Sequence, residues 1–541
     1  MIEFQHKLPC RKVDGRRNGT YNNYELGFPS VMTTLDPALG IFLHRLRSNI
    51  FDGRSLVFID GKILTVNKNW IRDHVHVMKA SRHWEYELRS FLDFIINTQR
   101  EDGQYYELIK QVDDKHWSFV REDCYVMYPE DNLSLVRLEL EADVEYLVVE
   151  GAVYLYKTTG DDAWLRTVLP RLERGIEYIT SDEKRWDAER GLVKRPFTID
   201  TWDFTARPDA GINRRIDPDT PMSIMHGDNS GVYQAMQQLA WLNRRLENEV
   251  RAKAWEERAA ALRENIFKHL WNGRFFIHQL HIGHNGLDNL EKERLSLSNT
   301  YDMNRGLTDV AASRAIIEEY MARGQRTDCR AEWFTIDPPY AQFGSYTPGR
   351  YVNGALSPFT AGELAKAAFN NGYEAYGWSI ITRFMELAER DGTVYFLYGP
   401  DLSPQPEGGP SAWGAAALIS AVDEGLAGIV DDGVNYDALR FSPKFPITPY
   451  TELRYLTGYE VTGAMVDVRY ILTEQGMRYD VYSPAKHVTA HVLLPAGRTC
   501  KALLLDGNPT DFTHSRVGDS VYVDFSSEAD GVLSAQLLFG V

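Results

Sequence analysis

Between Asn67 and about residue 427, apolar side chains recur at intervals of three and four residues. This spacing is typical of amphipathic helices, which direct one apolar face at a core. Loops rich in Gly, Pro, Asp and aromatic residues separate the periodic segments. The pattern predicts helices at about 73–99, 139–158, 161–180, 229–245, 248–269, 307–324, 360–371, 374–390 and 411–427.

Local signals mark several of the predicted helix ends. Asp161 stands where an N-cap accepts a hydrogen bond from the first turn, and Thr360 with Glu363 forms a predicted capping box. Pro170 lies inside the third predicted helix, which it should kink or split because proline has no backbone N–H.

The predicted helices pair as helical hairpins with long connectors at one end, notably at 100–138, 181–228 and 325–359. Connectors of this length in a compact domain are usually functional. They also hold most of the Trp, Asp and His residues. The layout favours a mainly α fold, a toroid of helical hairpins with a site built from loops at one mouth. No GxGxxG or P-loop spacing follows a predicted strand, which argues against nucleotide binding.

Both ends of the chain depart from the helical pattern. Residues 1–66 show Gly-centred turns between short β-type runs, which predicts an irregular segment with some strand. After residue 430 the apolar period becomes two, with turns about every ten residues. The sequence therefore predicts three parts: an irregular or β segment at 1–66, a helical domain at 67–430 and an antiparallel β-sandwich at 431–541.

Charge and cysteine usage exclude several classes of partner and site. Lys and Arg number 59 against 76 Asp and Glu, a net charge of −17. An acidic chain gains no counterion-release affinity for DNA or RNA, which argues against a nucleic-acid partner. The four cysteines never form a CxxC pair, which argues against a zinc site and a disulfide framework. Without a secretory signal or an 18-residue apolar run, we expect a soluble cytoplasmic protein away from membranes.

Aromatic residues make up 12% of the chain. A large packed core uses such residues, and their flat faces can also stack on the C–H faces of a sugar ring. The composition alone leaves both interpretations open.

Three places carry acids in settings that suit catalysis or sugar binding. Asp203 follows Trp202, whose apolar wall would favour a protonated carboxyl that could act as a general acid; it could instead cap a helix or pair with an arginine. Arg72 and Asp73 could bind two neighbouring hydroxyls, or form a surface ion pair. Glu407 lies in a Gly/Pro loop, free to point into a cavity or into solvent.

Other polar and aromatic residues in the connectors are weaker candidates for sugar binding. Each could equally serve ordinary turn or cap chemistry. They are Tyr351 with Asn353, Trp333 with Asp337, and His226 with Asp228 and Asn229.

Several of these motifs resemble one superfamily of carbohydrate enzymes. TWDFTAR at 201–207 resembles the SGWDFSSRW signature of trehalases and mannosyl-oligosaccharide glucosidases. NWIRD at 69–73 resembles the first active-site helix of glucoamylases and glycogen-debranching glucosidases, and YLYKTTGDDAWL and GGPSAWGAAAL also resemble these families. The short matches span about residues 67–427 and together imply a six-hairpin, (α/α)6-barrel glycoside hydrolase.

The resemblance also implies roles for individual residues. Asp203 becomes the general acid by the match of its WDF, and Glu407 the general base because it shortly precedes Trp413. Asp401 stays a rival base, since the spacing from Glu407 to Trp413 is short for these families, and Ile199-Asp200-Thr201 replaces their Glu-Ser-Gly. The implied substrate-binding residues are Arg72 and Asp73 in the −1 subsite, with Trp70, Trp202, Arg207, Asp228, Asn229, Trp333, Asn353 and Trp413.

The leading hypothesis is an inverting, exo-acting hydrolase of a terminal, α-linked sugar in an oligosaccharide or glycoside, needing no metal or organic cofactor. Two carboxyls about 6.5–9.5 Å apart would leave room for the attacking water. Arg207 is expected to contact substrate or another carboxylate, because a direct pair would keep Asp203 ionised. The alternatives are a phosphorylase, a polysaccharide lyase or an epimerase on the same toroid, and a non-catalytic carbohydrate-binding protein. The oligomeric state is left open.

Overall fold

The structure is a computed structural model that describes residues 37–112, 121–207, 211–283 and 289–540. Most of the predicted N-terminal segment therefore lies outside the described residues. Where the segment is described it is not irregular, since a four-turn helix and a β-hairpin occupy it. The missed helix, α1 (Pro37–Asp52), buries a regularly spaced apolar face that the sequence does carry: Leu39, Phe42, Leu43, Leu46 and Ile50.

Apart from α1 and α8, which the sequence analysis did not predict, the helices fall close to the predicted positions. After α1 they are α2 (Ile71–Ser81), α3 (Ser90–Asn97), α4 (Val144–Thr159), α5 (Asp162–Ile179), α6 (His226–Arg245), α7 (Glu249–Leu270), α8 (Ser298–Asn304), α9 (Val310–Arg326), α10 (Pro358–Asn370), α11 (Glu374–Asp391) and α12 (Ala412–Ser420). A π-helix, Ala421–Leu426, continues α12, and short 3₁₀ helices lie at Glu122–Cys124, Pro129–Asp131, Asn289–Glu293 and Phe445–Ile447.

Two predictions about the early helices need correction. The predicted helix at 73–99 is two helices, because Glu87 accepts hydrogen bonds from the backbone and side chain of Ser90 and starts α3 there. Pro170 does not split its helix, since α5 runs through it. The Asp161 cap is confirmed, with its carboxylate accepting from the Trp164 N–H at 2.8 Å.

The predicted capping box at Thr360 is wrong. Helix α10 begins before Thr360, with Pro358 in its first turn and Ser357 as the cap. The Ser357 hydroxyl accepts from the Thr360 N–H at 3.1 Å, and Glu363 pairs with Lys79 instead.

Alternate helices contact one another in a closed series. Helix α2 packs against α4, α4 against α6, α6 against α8, α8 against α10, α10 against α12, and α12 against α2. The other six helices pack on members of this series: α1 against α12, α3 and α5 against α4, α7 against α6, and α9 and α11 against α10. Among the described residues, none of these helices is long and apolar enough to cross a membrane.

Short strands lie between the helices and in their connectors. They are β1 (Arg54–Ile59), β2 (Lys62–Asn67), β3 (Leu108–Gln111), β4 (Tyr125–Tyr128), β5 (Leu133–Val136), β6 (Trp186–Asp187), β7 (Leu192–Val193), β8 (Arg195–Pro196), β9 (Thr205–Arg207), β10 (Gly211–Asn213), β11 (Met222–Met225), β12 (Gln279–Ile282), β13 (Leu295–Ser296) and β14 (Ile336–Asp337).

The C-terminal region consists of sheet, as its period-two pattern predicts. Its strands are β15 (Ile429–Asp431), β16 (Ala438–Phe441), β17 (Glu452–Tyr459), β18 (Ala464–Leu472), β19 (Gly476–Tyr482), β20 (His487–Leu493), β21 (Cys500–Leu505), β22 (Asn508–Thr510), β23 (Thr513–Val517), β24 (Ser520–Glu528) and β25 (Val532–Phe539).

These strands form two sheets, ordered β15-β16-β20-β24-β23 and β17-β18-β19-β25-β21-β22. Buried aromatic residues join the sheets, for example Phe441 of β16 and Tyr479 of β19, whose ring centroids are 5.4 Å apart. The pairing is antiparallel except between β16 and β20, which run parallel. The prediction of an entirely antiparallel region is wrong at that pair.

Candidate functional site

The structure gathers six of the predicted site residues around one pocket of about 290 Å³, here called the main pocket. Three distant parts of the chain supply them: the start of α2, the connector between α5 and α6, and the start of α12. The six are Trp70, Arg72, Asp73, Trp202, Asp203 and Trp413. The lining also includes Tyr351, one of the weaker candidates from the sequence, and residues that were not predicted: Lys68, Thr201, Phe396, Gly408, Pro410, Ser411 and Ala412.

Trp70 follows a strained turn that places it in the pocket wall. Lys68 and Asn69, just before it, have φ angles of 61° and 52°, in the left-handed region that side-chain-bearing residues seldom adopt. The Ile71 N–H donates to the Glu107 carbonyl at 2.8 Å and ties the turn to the following connector. Strain of this kind persists only where the surroundings enforce it, and it clusters at functional sites.

Two buried carboxylates hold Arg72 in place. Its Nε donates to Asp143 Oδ2 at 2.5 Å, and its Nη2 donates to Asp143 Oδ1 at 2.9 Å and to Glu141. Burial alone would raise the pKa of Asp143, but the charge and hydrogen bonds of Arg72 lower it. Within the described ranges, Nη1 is the guanidinium nitrogen that makes no hydrogen bond. It can donate to a ligand hydroxyl.

Asp73 lines the pocket with a carboxyl whose pKa is clearly shifted. Burial raises the pKa of Asp73 to about 6, against the charges of Arg72 and Lys68, and the charge of Asp203 adds to the rise. The side chain lies in the first turn of α2, where the helix dipole favours a negative charge. Asp73 can therefore change its protonation state in mildly acidic solution.

Asp203 stands on the same wall, beside the buried Trp202 ring. Its Oδ2 lies 3.8 Å from Arg214 Nε, an ion pair too long for a hydrogen bond. Asp203 also lines a neighbouring cavity of about 690 Å³, together with Lys68 and Trp70. The carboxyl thus stands where the main pocket and the neighbouring cavity meet.

Aromatic rings surround the two carboxyls. Trp202 packs edge-on against Tyr351, with ring centroids 5.7 Å apart. Tyr351 has a φ of 47°, so another strained residue lies in the wall. Burial raises the pKa of Tyr351 to about 12. The charges of Asp203 and Asp73 also raise this pKa, whereas a hydrogen bond with Trp202 lowers it. Its phenol stays protonated at ordinary pH.

Trp413 is fixed on both faces and at its edge. Its ring stacks on His76, with centroids 4.2 Å apart and planes 7° from parallel, and lies 4.8 Å from the Phe359 ring. Its Nε1–H donates to the Tyr301 hydroxyl at 2.9 Å. Because protein rings cover both of its faces, Trp413 meets the main pocket at its edge.

Glu407 lies beside the main pocket rather than in its wall. Its neighbour Gly408 lines the pocket, with a φ of 82° and no room for a Cβ, which would come within 2.6 Å of Phe396. Glu407 Oε1 accepts from Arg350 Nη2 at 2.7 Å, while Oε2 is buried without a hydrogen bond among the described residues.

The rival base and the predicted arginine are placed less favourably. Asp401 lies in an exposed turn, where it accepts from the Ser403 N–H at 3.0 Å and from the Ser403 hydroxyl at 2.5 Å. It is absent from the lining of the main pocket. The side chain of Arg207 lies outside the described residues, so its contact with substrate stays a prediction.

The structure keeps Asp228 and Asn229 away from the main pocket. Both are buried in the first turn of α6. Asp228 pairs with Arg195 at 3.4 Å, and burial raises its pKa to about 6. The Asn229 side chain binds the backbone N–H and carbonyl of Val193 at 2.7 and 2.9 Å. The Asn229 amide is fully used by the protein's own backbone, whereas Asp228 Oδ2 is buried without a hydrogen bond among the described residues. A ligand-binding role for either stays a prediction.

Trp333 and Asn353 are likewise buried away from the pocket lining. Trp333 packs on Phe384, with ring centroids 4.7 Å apart. The Asn353 amide accepts from the Tyr340 N–H at 2.8 Å and donates to the carbonyls of Tyr340 and Tyr346, so it shapes the connector before α10. Neither residue lines the main pocket, and a substrate-binding role for them stays a prediction.

Sequence reasoning missed Lys68, Glu141 and Asp143. The segment LELEAD at 138–143 did carry a signal, with three carboxylates at alternate positions just before a helix. Nothing in the sequence indicated that their partner would be Arg72, about seventy residues earlier. Across the described ranges, no group of three or more His, Cys, Asp and Glu side chains is arranged to hold a metal ion.

No protein-family model matches the chain, and a search of curated proteins finds no match. Solved structures do share its fold. An α-L-rhamnosidase from Dictyoglumus thermophilum gives a TM-score of 0.60 at 11% identity, over 94% of this chain and 50% of that one. A GH78 family rhamnosidase of Bacillus sp. GL1 gives 0.58 at 13% identity, over 85% and 42%.

A shorter protein matches over nearly its whole length. The GH63 mannosylglycerate hydrolase from Thermus thermophilus gives a TM-score of 0.50 at 15% identity, over 70% of this chain and 99% of that one. This chain spans half or less of the length of the rhamnosidases. At such identities the likeness is one of fold. The three similar structures are all glycoside hydrolases, though none is a trehalase or a glucoamylase.

Proposed function

We propose that the chain is a glycoside hydrolase whose active site is the main pocket. The observation that carries the proposal is the meeting of two carboxyls, Asp73 and Asp203, with the rings of Trp70 and Trp202 and the edge of Trp413. Tryptophan faces bind the apolar C–H faces of a sugar, and carboxylates accept from its hydroxyls. The fold shared with known glycoside hydrolases supports the same activity.

The shape of the site supports an exo-acting enzyme. A pocket of about 290 Å³ is suited to one terminal sugar ring. The neighbouring cavity, which shares Lys68, Trp70 and Asp203 with it, would receive the leaving group. Asp203 then stands at the boundary where the bridging oxygen must be protonated, which is the position of a general acid.

Glu407 is our proposed general base. Burial raises the pKa of Tyr346, and the charges of Glu407 and Asp203 both add to the rise. Glu407 Oε2 is buried without a hydrogen bond among the described residues, so it would have to turn into the main pocket to accept a proton from water. With the water between the two carboxyls, the reaction would invert the anomeric carbon. Asp73 and Arg72 Nη1 would hold the sugar hydroxyls.

We further propose that the closed helix series is the inner layer of an (α/α)6 toroid. The twelve described α-helices, six in the series and six packed outside it, support this arrangement. Because α1 packs against α12, the helical domain would begin at α1 rather than at residue 67. Residues 431–541 remain the proposed β-domain.

Two alternatives on the same fold are less well supported. A lyase would use a tyrosine or histidine base, and the pKa of Tyr351 at about 12 opposes a tyrosinate in the pocket. A phosphorylase needs cations free for phosphate, and because Arg72 is already held by Glu141 and Asp143, Lys68 would have to supply the charge.

The test is a panel of chromogenic α- and β-glycosides that includes rhamnosides, glucosides and mannosides, with the anomer of the first product followed by NMR. We expect hydrolysis of one terminal sugar with inversion. Added phosphate should leave the product unchanged, and no ultraviolet-absorbing unsaturated sugar should form. Retention would remove the assignment of Glu407 as a base, and a sugar phosphate or unsaturated product would replace the hydrolase proposal.

A further inference from the structure

The loop that carries Asp203 is closed at its ends and held near its tip. The Thr198 hydroxyl donates to the Phe204 carbonyl at 2.5 Å and closes the loop from Thr198 to Phe204. The buried Arg195 donates through Nη2 to the Trp202 carbonyl at 2.6 Å. The backbone on both sides of Asp203 is therefore fixed by side chains outside the main pocket.

The middle of this loop is a strained and buried aspartate. Asp200 has a φ of 52° and is 2% exposed. Its carboxylate accepts from the Thr201 N–H at 2.8 Å, from the Ser298 N–H at 3.0 Å and from the Ser298 hydroxyl. Its own N–H donates to His278 Nε2 at 2.9 Å. A left-handed aspartate persists only where such contacts enforce it.

His278 is oriented in turn by a buried glutamate. Because Nε2 accepts the Asp200 N–H, the ring proton lies on Nδ1, which is 3.0 Å from Glu291 Oε2. Burial would raise the pKa of Glu291, but hydrogen bonds from His278 and Tyr340 lower it well below its usual range. Glu291 is thus the anion that fixes the tautomer and the angle of the His278 ring.

We propose that His278 is a positioning residue for Asp203. Through the Asp200 N–H it holds the Thr198–Phe204 loop in the conformation that directs the Asp203 carboxyl at the leaving oxygen. The inference rests on the proposed function, in which Asp203 is the general acid. Displacing a catalytic group by about 1 Å can cost about a hundredfold in rate, so a remote hydrogen bond of this kind can control turnover.

The test compares two substrates of the sugar that the wild-type enzyme accepts. An alkyl glycoside needs its leaving oxygen protonated, whereas a glycosyl fluoride does not depend on a general acid for departure. His278→Phe removes the acceptor and keeps a ring. We expect kcat to fall on the alkyl glycoside by a factor about ten times larger, or more, than its fall on the fluoride. KM should stay nearly unchanged. His278→Gln, whose amide oxygen can accept the Asp200 N–H, should recover most of the loss.

His281→Phe is the matched control, because His281 lies 3.6 Å from Glu291 on another side and makes no contact with Asp200 in the described structure. The ratio of its kcat on the alkyl glycoside to its kcat on the glycosyl fluoride should stay close to the wild-type ratio. If His278→Phe does not fold, Thr198→Val tests the loop from its closed end and should show the same selective loss.

If His278→Phe lowers kcat equally on both substrates, or on neither, the positioning role is overturned while the hydrolase proposal stands. A wild-type enzyme that hydrolyses neither substrate of any sugar would overturn both.

Discussion

Asp73 and Asp203 come from separate connectors to one pocket, and the charge of Asp203 contributes to the raised pKa of Asp73. The two carboxyls are coupled although they lie far apart in the chain. A neutral Asp73 could donate to a sugar hydroxyl and an ionised one could accept, so this coupling affects how the pocket binds as well as how it reacts.

The raised pKa of Asp73 makes a prediction about stability. The pKa is about 6 in the folded protein against an ordinary value of 3.8, so between these values the folded state binds more protons than the unfolded state. Stability from this group is therefore complete below about pH 4 and falls as the pH rises towards 6. Asp73→Asn removes this dependence of stability on pH. The melting temperature of the variant minus that of the wild type should therefore increase from about pH 4 to about pH 7. A constant difference across that range would contradict the pKa shift.

Tyr301 should control the binding surface of Trp413. Tyr301→Phe leaves the Trp413 Nε1–H without its 2.9 Å acceptor. We expect a loss of about 0.5–1.5 kcal/mol in unfolding free energy. The freed ring should also bind substrate less well, so KM rises more than kcat falls. Urea unfolding and steady-state kinetics measure the two effects, and an unchanged KM would show that the stack on His76 suffices.

Asn229 should matter for stability and not for substrate. Its amide satisfies both backbone groups of Val193 and the Met225 carbonyl. Asn229→Ala leaves buried groups unsatisfied and should cost about 1–3 kcal/mol. The KM of the surviving folded enzyme should equal that of the wild type. A large change in KM with normal stability would return Asn229 to the set of ligand-binding residues.

The fold was predictable from the sequence where a helix buries one regular face, as in α5 and α6, and where strands alternate after residue 430. The break between α2 and α3 was not, because it depends on hydrogen bonds from Ser90 to Glu87 that the apolar spacing does not indicate. Helix α1 was missed although Leu39, Phe42 and Leu46 carried its period.

The site was predictable where an aromatic residue and a charge stand together in a connector, as in Trp70 to Asp73 and Trp202–Asp203. Asn229 and Asn353 could not be assigned from sequence, because an amide that binds a backbone and one that binds a sugar have the same sequence signature. The roles of the pocket residues remain predictions. Their separation along the chain does not indicate what each residue does.

The most direct test of the account is Asp203→Asn, measured on an alkyl glycoside of the accepted sugar beside Asp401→Asn. Asp401 is the matched acid, in an exposed turn away from the main pocket. We predict that Asp203→Asn lowers kcat/KM by about a hundredfold or more at an unchanged melting temperature, because a general acid is lost, while Asp401→Asn stays near the wild type. Near wild-type hydrolysis by Asp203→Asn would contradict the account at its centre.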